Sequence, residues 1–340
     1  MKRLTAIFLA VLLVFTLAAC AGTPATTTTA PASESVKTGL GIVFSNANSR
    51  NPADGNDGVI DTQAYVAAVT VDEDGKIVKC VIDSLQSRFT FTAGSEIKTP
   101  ATTVFRTKNE LGDEYNMRRA SPIQKEWNEQ AAAFAEYVIG KTADQVQNIA
   151  VSEGVATDAD LKSKVTIRIG VFQNAVVEAV NNAVDLGAKA GDKLGLGIEG
   201  NAARTTQAAA GDRPATAVAN NTYTVLTTDA SGRITSSIID ASQASFTVAD
   251  GKISTDITAE IKTKGELGES YNMKRASSIG KEWNEQAASF ASYVTGKTLS
   301  EVKGISMAEG KATGADLKSS VTITISSFIT VVEKAIASAR

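Results

Sequence analysis

The sequence predicts an α+β protein made of two tandem homologous domains, each an antiparallel sheet with packed helices. Three observations predict it: a long internal repeat, alternating apolar segments around Gly-containing turns at the front of each copy, and a helical apolar series at its end. Residues 110–142 match residues 266–298 at 25 of 33 positions, an offset of 156. A period this long indicates globular domains in tandem rather than a solenoid, because each copy is long enough to bury a core. The copies open with Gly39-Leu40-Gly41-Ile42 and Gly195-Leu196-Gly197-Ile198 and close near Leu186 and Arg340. Domain 1 is therefore placed at 37–186, a hinge at 187–192 and domain 2 at 193–340.

Ahead of the first copy, Lys2 and Arg3 precede an apolar run over 7–17 that is short for a membrane span. The reading is a signal peptide over 1–19. Leu17-Ala18-Ala19-Cys20 resembles a lipobox, which implies that Cys20 is acylated and becomes the first mature residue. The Thr/Pro/Ala-rich stretch that follows has nothing to bury, so 20–36 reads as lipidated cysteine and flexible tether. The expected location is the extracytoplasmic face of the cell membrane, with the lipid anchor as the membrane contact.

In each copy the first elements read as strands. Residues 65–71 and 76–82 flank Asp72-Glu73-Asp74-Gly75, and 223–239 repeats the hairpin around Ser231-Gly232. Further strands are expected at 89–92 and 102–107, and at 246–248 and 257–262, extending the same sheet. Ser121-Pro122-Ile123-Gln124 then offers an N-cap, a proline at N1 and a reciprocal partner at N3, and Ile123, Trp127, Gln130, Phe134 and Val138 recur at helical spacing up to Gly140. Thr142-Ala143-Asp144-Gln145 and Thr298-Leu299-Ser300-Glu301 are capping boxes for a short second helix. They also dispose of Gly140-Lys141-Thr142 as a nucleotide loop, since Ala135 and Ala291 stand where that loop needs glycine. The last element carries Val165, Ile169, Phe172, Val176, Val180 and Ala183, repeated as Val321, Ile325, Phe328, Val332, Ile336 and Ala339. This predicts an amphipathic helix capped by Ser163 or Ser319, with Thr166 and Thr322 in its first turn, where free N–H groups and the helix dipole favour an anion such as phosphate.

Composition removes whole classes of chemistry. There is no histidine, which closes serine triads, Cys-His pairs and His-ligated zinc. With Cys20 acylated, Cys80 is the single remaining thiol, and its alternating apolar surroundings read as a buried small residue. A formal net charge of −3 gives no electrostatic case for nucleic acid. The acidic stretch from Asp54 to Asp61 has a calcium-like composition, yet Ala53 occupies the first ligand position, and an acidic turn is the better reading. Trp127 and Trp283 read as core, Tyr115 and Tyr271 as pocket residues, and Glu126, Glu129, Glu282 and Glu285 as a solvated helix face.

Asp160-Leu161-Lys162-Ser163-Lys164-Val165-Thr166-Ile167 and Asp316-Leu317-Lys318-Ser319-Ser320-Val321-Thr322-Ile323 resemble the D-x-x-S-G-A-T segment of FMN-binding domains in flavin-carrying extracytoplasmic lipoproteins. Asp74-Gly75-Lys76-Ile77 is similar to the hairpin turn of that family. Lys164-Val165 and Ser320-Val321 stand where the family has Gly-Ala. The resemblance implies an FMN-binding-domain-like fold. It implies FMN on Thr166 and Thr322, joined by a phosphoester that a separate flavin transferase installs, with redox proteins as partners. Ser163 and Ser319 are the expected caps beside those threonines, and Tyr115 and Tyr271, in a block with no counterpart in the family, are expected cofactor-pocket residues from their place in the loop before the long helix. Two functions follow as expectations, and neither is an enzyme's. One is a membrane-tethered flavin carrier in extracellular electron transfer. The other is a non-catalytic surface-binding lipoprotein, for a small molecule or an envelope protein, whose domains have lost flavin.

Overall fold

The computed structural model describes residues 34–340; the leader, Cys20 and the tether up to residue 33 lie outside them. In the first copy β1 (Lys37–Ser45), β2 (Gly58–Val71) and β3 (Ile77–Phe91) form an antiparallel sheet in the order β1-β2-β3. After it come β4 (Val104–Phe105), α1 (Lys108–Leu111), α2 (Trp127–Tyr137), α3 (Ala143–Gln147), a tiny hairpin of β5 (Val151–Ser152) and β6 (Val155–Ala156), α4 (Ala159–Lys162) and α5 (Gly170–Asn181). The second copy repeats the plan with β7 (Lys193–Asn201), β8 (Ala215–Thr228), β9 (Ile234–Ala249) and β10 (Lys252–Ile253). It continues with α6 (Lys264–Leu267), α7 (Trp283–Val294), α8 (Leu299–Lys303), β11 (Met307–Ala308), β12 (Lys311–Ala312), α9 (Ala315–Lys318) and α10 (Ser326–Ser338). The chain is thus mixed α and β, with antiparallel sheets and packed helices, as the sequence predicts.

Both front hairpins turn where a glycine takes a left-handed conformation, Gly75 at φ +76° and Gly232 at φ +79°. Asp72 and Asp229 brace the turns by accepting from the Lys76 and Arg233 amides at 2.8 and 2.9 Å. Strand alternation then sends side chains to two destinations. Odd positions of β2, Ala67, Val69 and Val71, face α2 and α5 in a core belonging to copy 1. Even positions, Ile60, Ala64, Val66 and Ala68, meet Leu194, Leu196, Ile198, Tyr223 and Val225 of copy 2 in a core that both copies share. The molecule is therefore four layers deep, helices outside and two sheets within. Each copy buries a core of its own, as its length allows, and in addition covers the inner face of its partner's sheet.

Glycine makes the outer layers possible. A methyl group on Gly39 or Gly41 would collide with the Ala179 and Ala175 carbonyls of α5, and one on Gly195 or Gly197 with the Ala335 and Val331 carbonyls of α10. The paired glycines near the start of each copy let a helix lie directly on the strand backbone. The segment expected to be a hinge is pinned: Val36 donates to the Ala188 carbonyl, Ala190 to that of Glu34, and Ala188 is fully buried.

Several boundaries differ from expectation. The strand expected at 89–92 is the end of an unbroken β3, and 246–248 is the end of β9. β4 leaves its own sheet and pairs with β7 of the other copy, while 257–262 forms no strand, Ile257 and Ile261 packing into the shared core without a ladder. The long helix does not begin after Ser121. Gln124 and Gly280 adopt φ +53° and +63°, which breaks a helix there, and α2 and α7 instead start after Glu126 and Glu282, each in a capping box with the glutamate three residues on. The last helix likewise begins at Gly170 and Ser326, not after Ser163 and Ser319. Those serines end α4 and α9, and the intervening turn carries Thr166 and Thr322. Its amides are satisfied outside any helix, by the Gln130 and Gln286 side chains and by the Gly154 and Gly310 carbonyls, so the apolar periodicity of Val165 and Ile169 is met by an irregular segment.

Candidate functional site

The chemistry of each copy gathers where the outer face of the sheet meets α2 or α7. Thr107 and Thr263 cap the short helices α1 and α6 through reciprocal boxes with Glu110 and Glu266. This places Lys108 and Lys264 as first helical residues. The Lys108 ammonium lies 5.0 Å from the ring centres of both Tyr115 and Trp127, and 5.7 Å from that of Tyr65. Lys264 repeats the arrangement on Tyr271 at 4.9 Å and Trp283 at 5.1 Å. A cation over an aromatic face gains on the order of 1 kcal/mol, more when water is excluded.

The third ring distinguishes the copies. Tyr65 pairs across the sheet with Val43 and Ser84, and the residue in the matching register of copy 2, between Glu199 and Ala241, is Thr222. In copy 1 Tyr65 fills the space. It stacks obliquely on Phe172 at 6.0 Å, its hydroxyl donates to Gln63 at 2.9 Å, and Lys108 is left only 5% exposed. Burial, opposed by Asp61 and Asp83, pulls the Lys108 ammonium down to about 8, and burial pushes the Tyr65 phenol up to about 12.

In copy 2 the smaller Thr222 leaves a cavity of about 660 Å³. Tyr271, Trp283 and Phe328 supply apolar walls, and Asn220, Thr222, Ser277, Thr322 and Ser327 supply polar groups. Its charged lining residues are Lys264, Arg204 and Lys311, with no carboxylate among them. Copy 1 has Asn48 and Val155 at the positions of Arg204 and Lys311. Three cations with no carboxylate among the lining residues give this cavity a positive potential.

The residues expected to hold a cofactor are brought only partly together. Thr322 lines the cavity, and Tyr271 forms its wall. The Thr322 amide and hydroxyl both donate to the Gln286 side-chain oxygen, at 2.8 and 3.2 Å. Thr166 makes the same two bonds to Gln130, with Ile167 adding a third at 3.2 Å. Neither threonine stands at a helix N-terminus, so the dipole argument for a phosphate there does not hold. Ser163 and Ser319 are exposed and donate to the Asp160 and Asp316 carbonyls within their own turns. Tyr115 is half-buried over Lys108.

Other expectations resolve as structure. Trp127 and Trp283 are buried, as read. Glu126 and Glu282 are not on a solvated face: both are buried, and they accept from the amides of Met117 and Arg118, and of Met273 and Lys274, at 2.8–3.0 Å. They fix the Tyr-Asn-Met loop. Cys80 is buried and free, its thiol pushed up to about 12 by burial. In the acidic stretch Asp57 pairs with Lys98 at 2.7 Å, and buried Asp61 accepts from Gln86 at 2.6 Å.

Lys108, Lys264, Gln130 and Gln286 were accessible to sequence reasoning: identical Thr-Lys pairs precede the matched block, and both glutamines lie inside it. Arg204, Lys311 and Thr222 have no such signal, because they differ between the copies. No protein-family model, curated protein or solved structure matches this chain.

Proposed function

We propose that this protein is a lipid-anchored, extracytoplasmic binding lipoprotein whose second copy takes an anionic small molecule, while the first has become a filled, structural partner. The observation that carries this reading is the lining of the copy 2 cavity, three cations and no carboxylate around aromatic walls. Copy 1 lacks two of those cations and places Tyr65 in the space. A second reading, carriage of FMN in electron transfer, is favoured by Thr322 on the cavity wall. FMN joins a planar ring to a phosphate and suits the same surroundings. It would be one flavin per chain, on copy 2, with a flavin transferase and redox proteins as partners.

Trp127→Phe leaves Trp283 as the single tryptophan, a reporter in the cavity wall. Titration with FMN and with riboflavin, which lacks the phosphate, should quench it with FMN the tighter ligand. Arg204→Glu or Lys311→Glu should weaken FMN about tenfold, the size of one charge-assisted contact. Affinities indifferent to the phosphate and to both charge reversals would refute the anion site. A fluorescent band surviving denaturation in protein from its native membrane, and lost in Thr322→Ala, would establish the covalent carrier; a colourless band of unmodified mass, from cells that make the transferase, would reject it.

A further inference from the structure

Resting on the anion-binding reading of copy 2, we infer that its ligand carries a hydroxylated aromatic ring, and that copy 1 displays the bound arrangement with the protein's own Tyr65 in the place of that ring. The two copies share strand register at this point, so Tyr65 marks a defined volume above Lys264 and beside Thr222. In copy 1 that volume holds a phenol. Its ring stands 5.7 Å from the lysine ammonium and 6.0 Å from Phe172, and its hydroxyl bonds to Gln63.

Copy 2 keeps the surroundings of such a ring without the ring. Lys264, Tyr271, Trp283 and Phe328 match Lys108, Tyr115, Trp127 and Phe172. Gln63 is matched in register by Asn220, whose Nδ2 is buried with no partner. That nitrogen is a donor in need of an acceptor, and the oxygen of a ligand hydroxyl supplies one. Leaving such a group buried and unpaired is costly, so a ligand that pairs it is selected over one that does not. Arg204 and Lys311, also on the cavity lining, then hold an anionic substituent.

Three carboxylates test this by calorimetry on the full chain: 4-hydroxybenzoate, benzoate and cyclohexanecarboxylate. The expected order is 4-hydroxybenzoate tightest, benzoate about fivefold weaker for want of the hydroxyl, and cyclohexanecarboxylate weaker again by a similar factor for want of the π face. Thr222→Tyr should abolish 4-hydroxybenzoate binding while the protein stays folded, since copy 1 already accommodates that residue. Tyr65→Thr should lower the Tm, and p-cresol, the tyrosine side chain as a free molecule, should restore part of the loss where cyclohexanol does not. The inference is overturned if cyclohexanecarboxylate binds as tightly as 4-hydroxybenzoate, or if Thr222→Tyr leaves the affinity unchanged. Failure of all three carboxylates to bind while FMN still binds more tightly than riboflavin would reject this ligand and leave the anion site standing; failure of all three together with affinities indifferent to the FMN phosphate would reject both.

Discussion

Asp83 gives the fold a pH dependence whose sign and size can be worked out. It lies on β3 at the seam between the copies, 7% exposed, and accepts from the amides of Ser84 at 2.7 Å and Asn109 at 3.0 Å. Those bonds do not offset the loss of water, and burial raises its carboxyl from 3.8 to about 7. An acid whose folded pKa exceeds its unfolded one is held more easily neutral than ionised in the native state. Its contribution to stability is therefore greatest below about pH 4, falls as pH rises through the interval, and levels off above about pH 7. At 1.36 kcal/mol per unit the full effect is roughly 4 kcal/mol. Asp83→Asn keeps an acceptor for both amides and removes the charge, which takes from Lys108 one of the two carboxylates that support its ammonium and makes the full effect an upper bound. Urea unfolding from pH 4 to pH 8 should show the variant close to the parent at pH 4 and more stable by up to roughly 4 kcal/mol at pH 8. Asp240 and Glu178, also raised chiefly by burial, slope the same way in both proteins and cancel in the difference. Parallel curves for variant and parent would refute the reasoning.

Three further outcomes follow from the packing. Gly197→Ala should destabilise by more than about 3 kcal/mol, because the added methyl meets the Val331 carbonyl of α10; a melting temperature equal to that of the parent would contradict direct helix-on-strand contact. Glu178→Gln should stabilise by about 0.5–1 kcal/mol at neutral pH, since burial and the nearby Glu266 disfavour the Glu178 carboxylate while a glutamine oxygen still accepts from the Ile42 amide, now at 3.1 Å; chemical denaturation would read the gain, and a loss would contradict the reasoning. Cys80 should resist a thiol reagent in the native protein and react once in denaturant, and rapid native labelling would contradict its burial.

Much of this architecture was legible in the sequence, for reasons that can be named. Strands of period two with glycine at their turns, and local boxes such as Thr142 with Gln145, declare themselves because their determinants lie within four residues. The helix starts misread at Ser121 and Ser163 depend on distant partners. The Gln130 side chain, 36 residues before Thr166 in the chain, takes the amide that a helix would otherwise have used. The strand crossing of β4 to β7 and the shared core are equally nonlocal, since alternation marks a buried face without saying whose sheet covers it. At the candidate site the conserved part of the repeat pointed to Tyr115, Tyr271 and Thr322. The working difference lies where the copies diverge, at Tyr65 and Thr222, and a repeat alignment reads divergence as noise.

The central claim is that one copy binds and the other is filled. Amide chemical-shift mapping with 4-hydroxybenzoate tests it most directly. The account predicts saturable shifts at Lys264, Ser277, Thr322 and their neighbours, weakened by salt, with Lys108, Ser121 and Thr166 unmoved. Equal shifts in both copies, or shifts confined to the seam between the sheets, would contradict it.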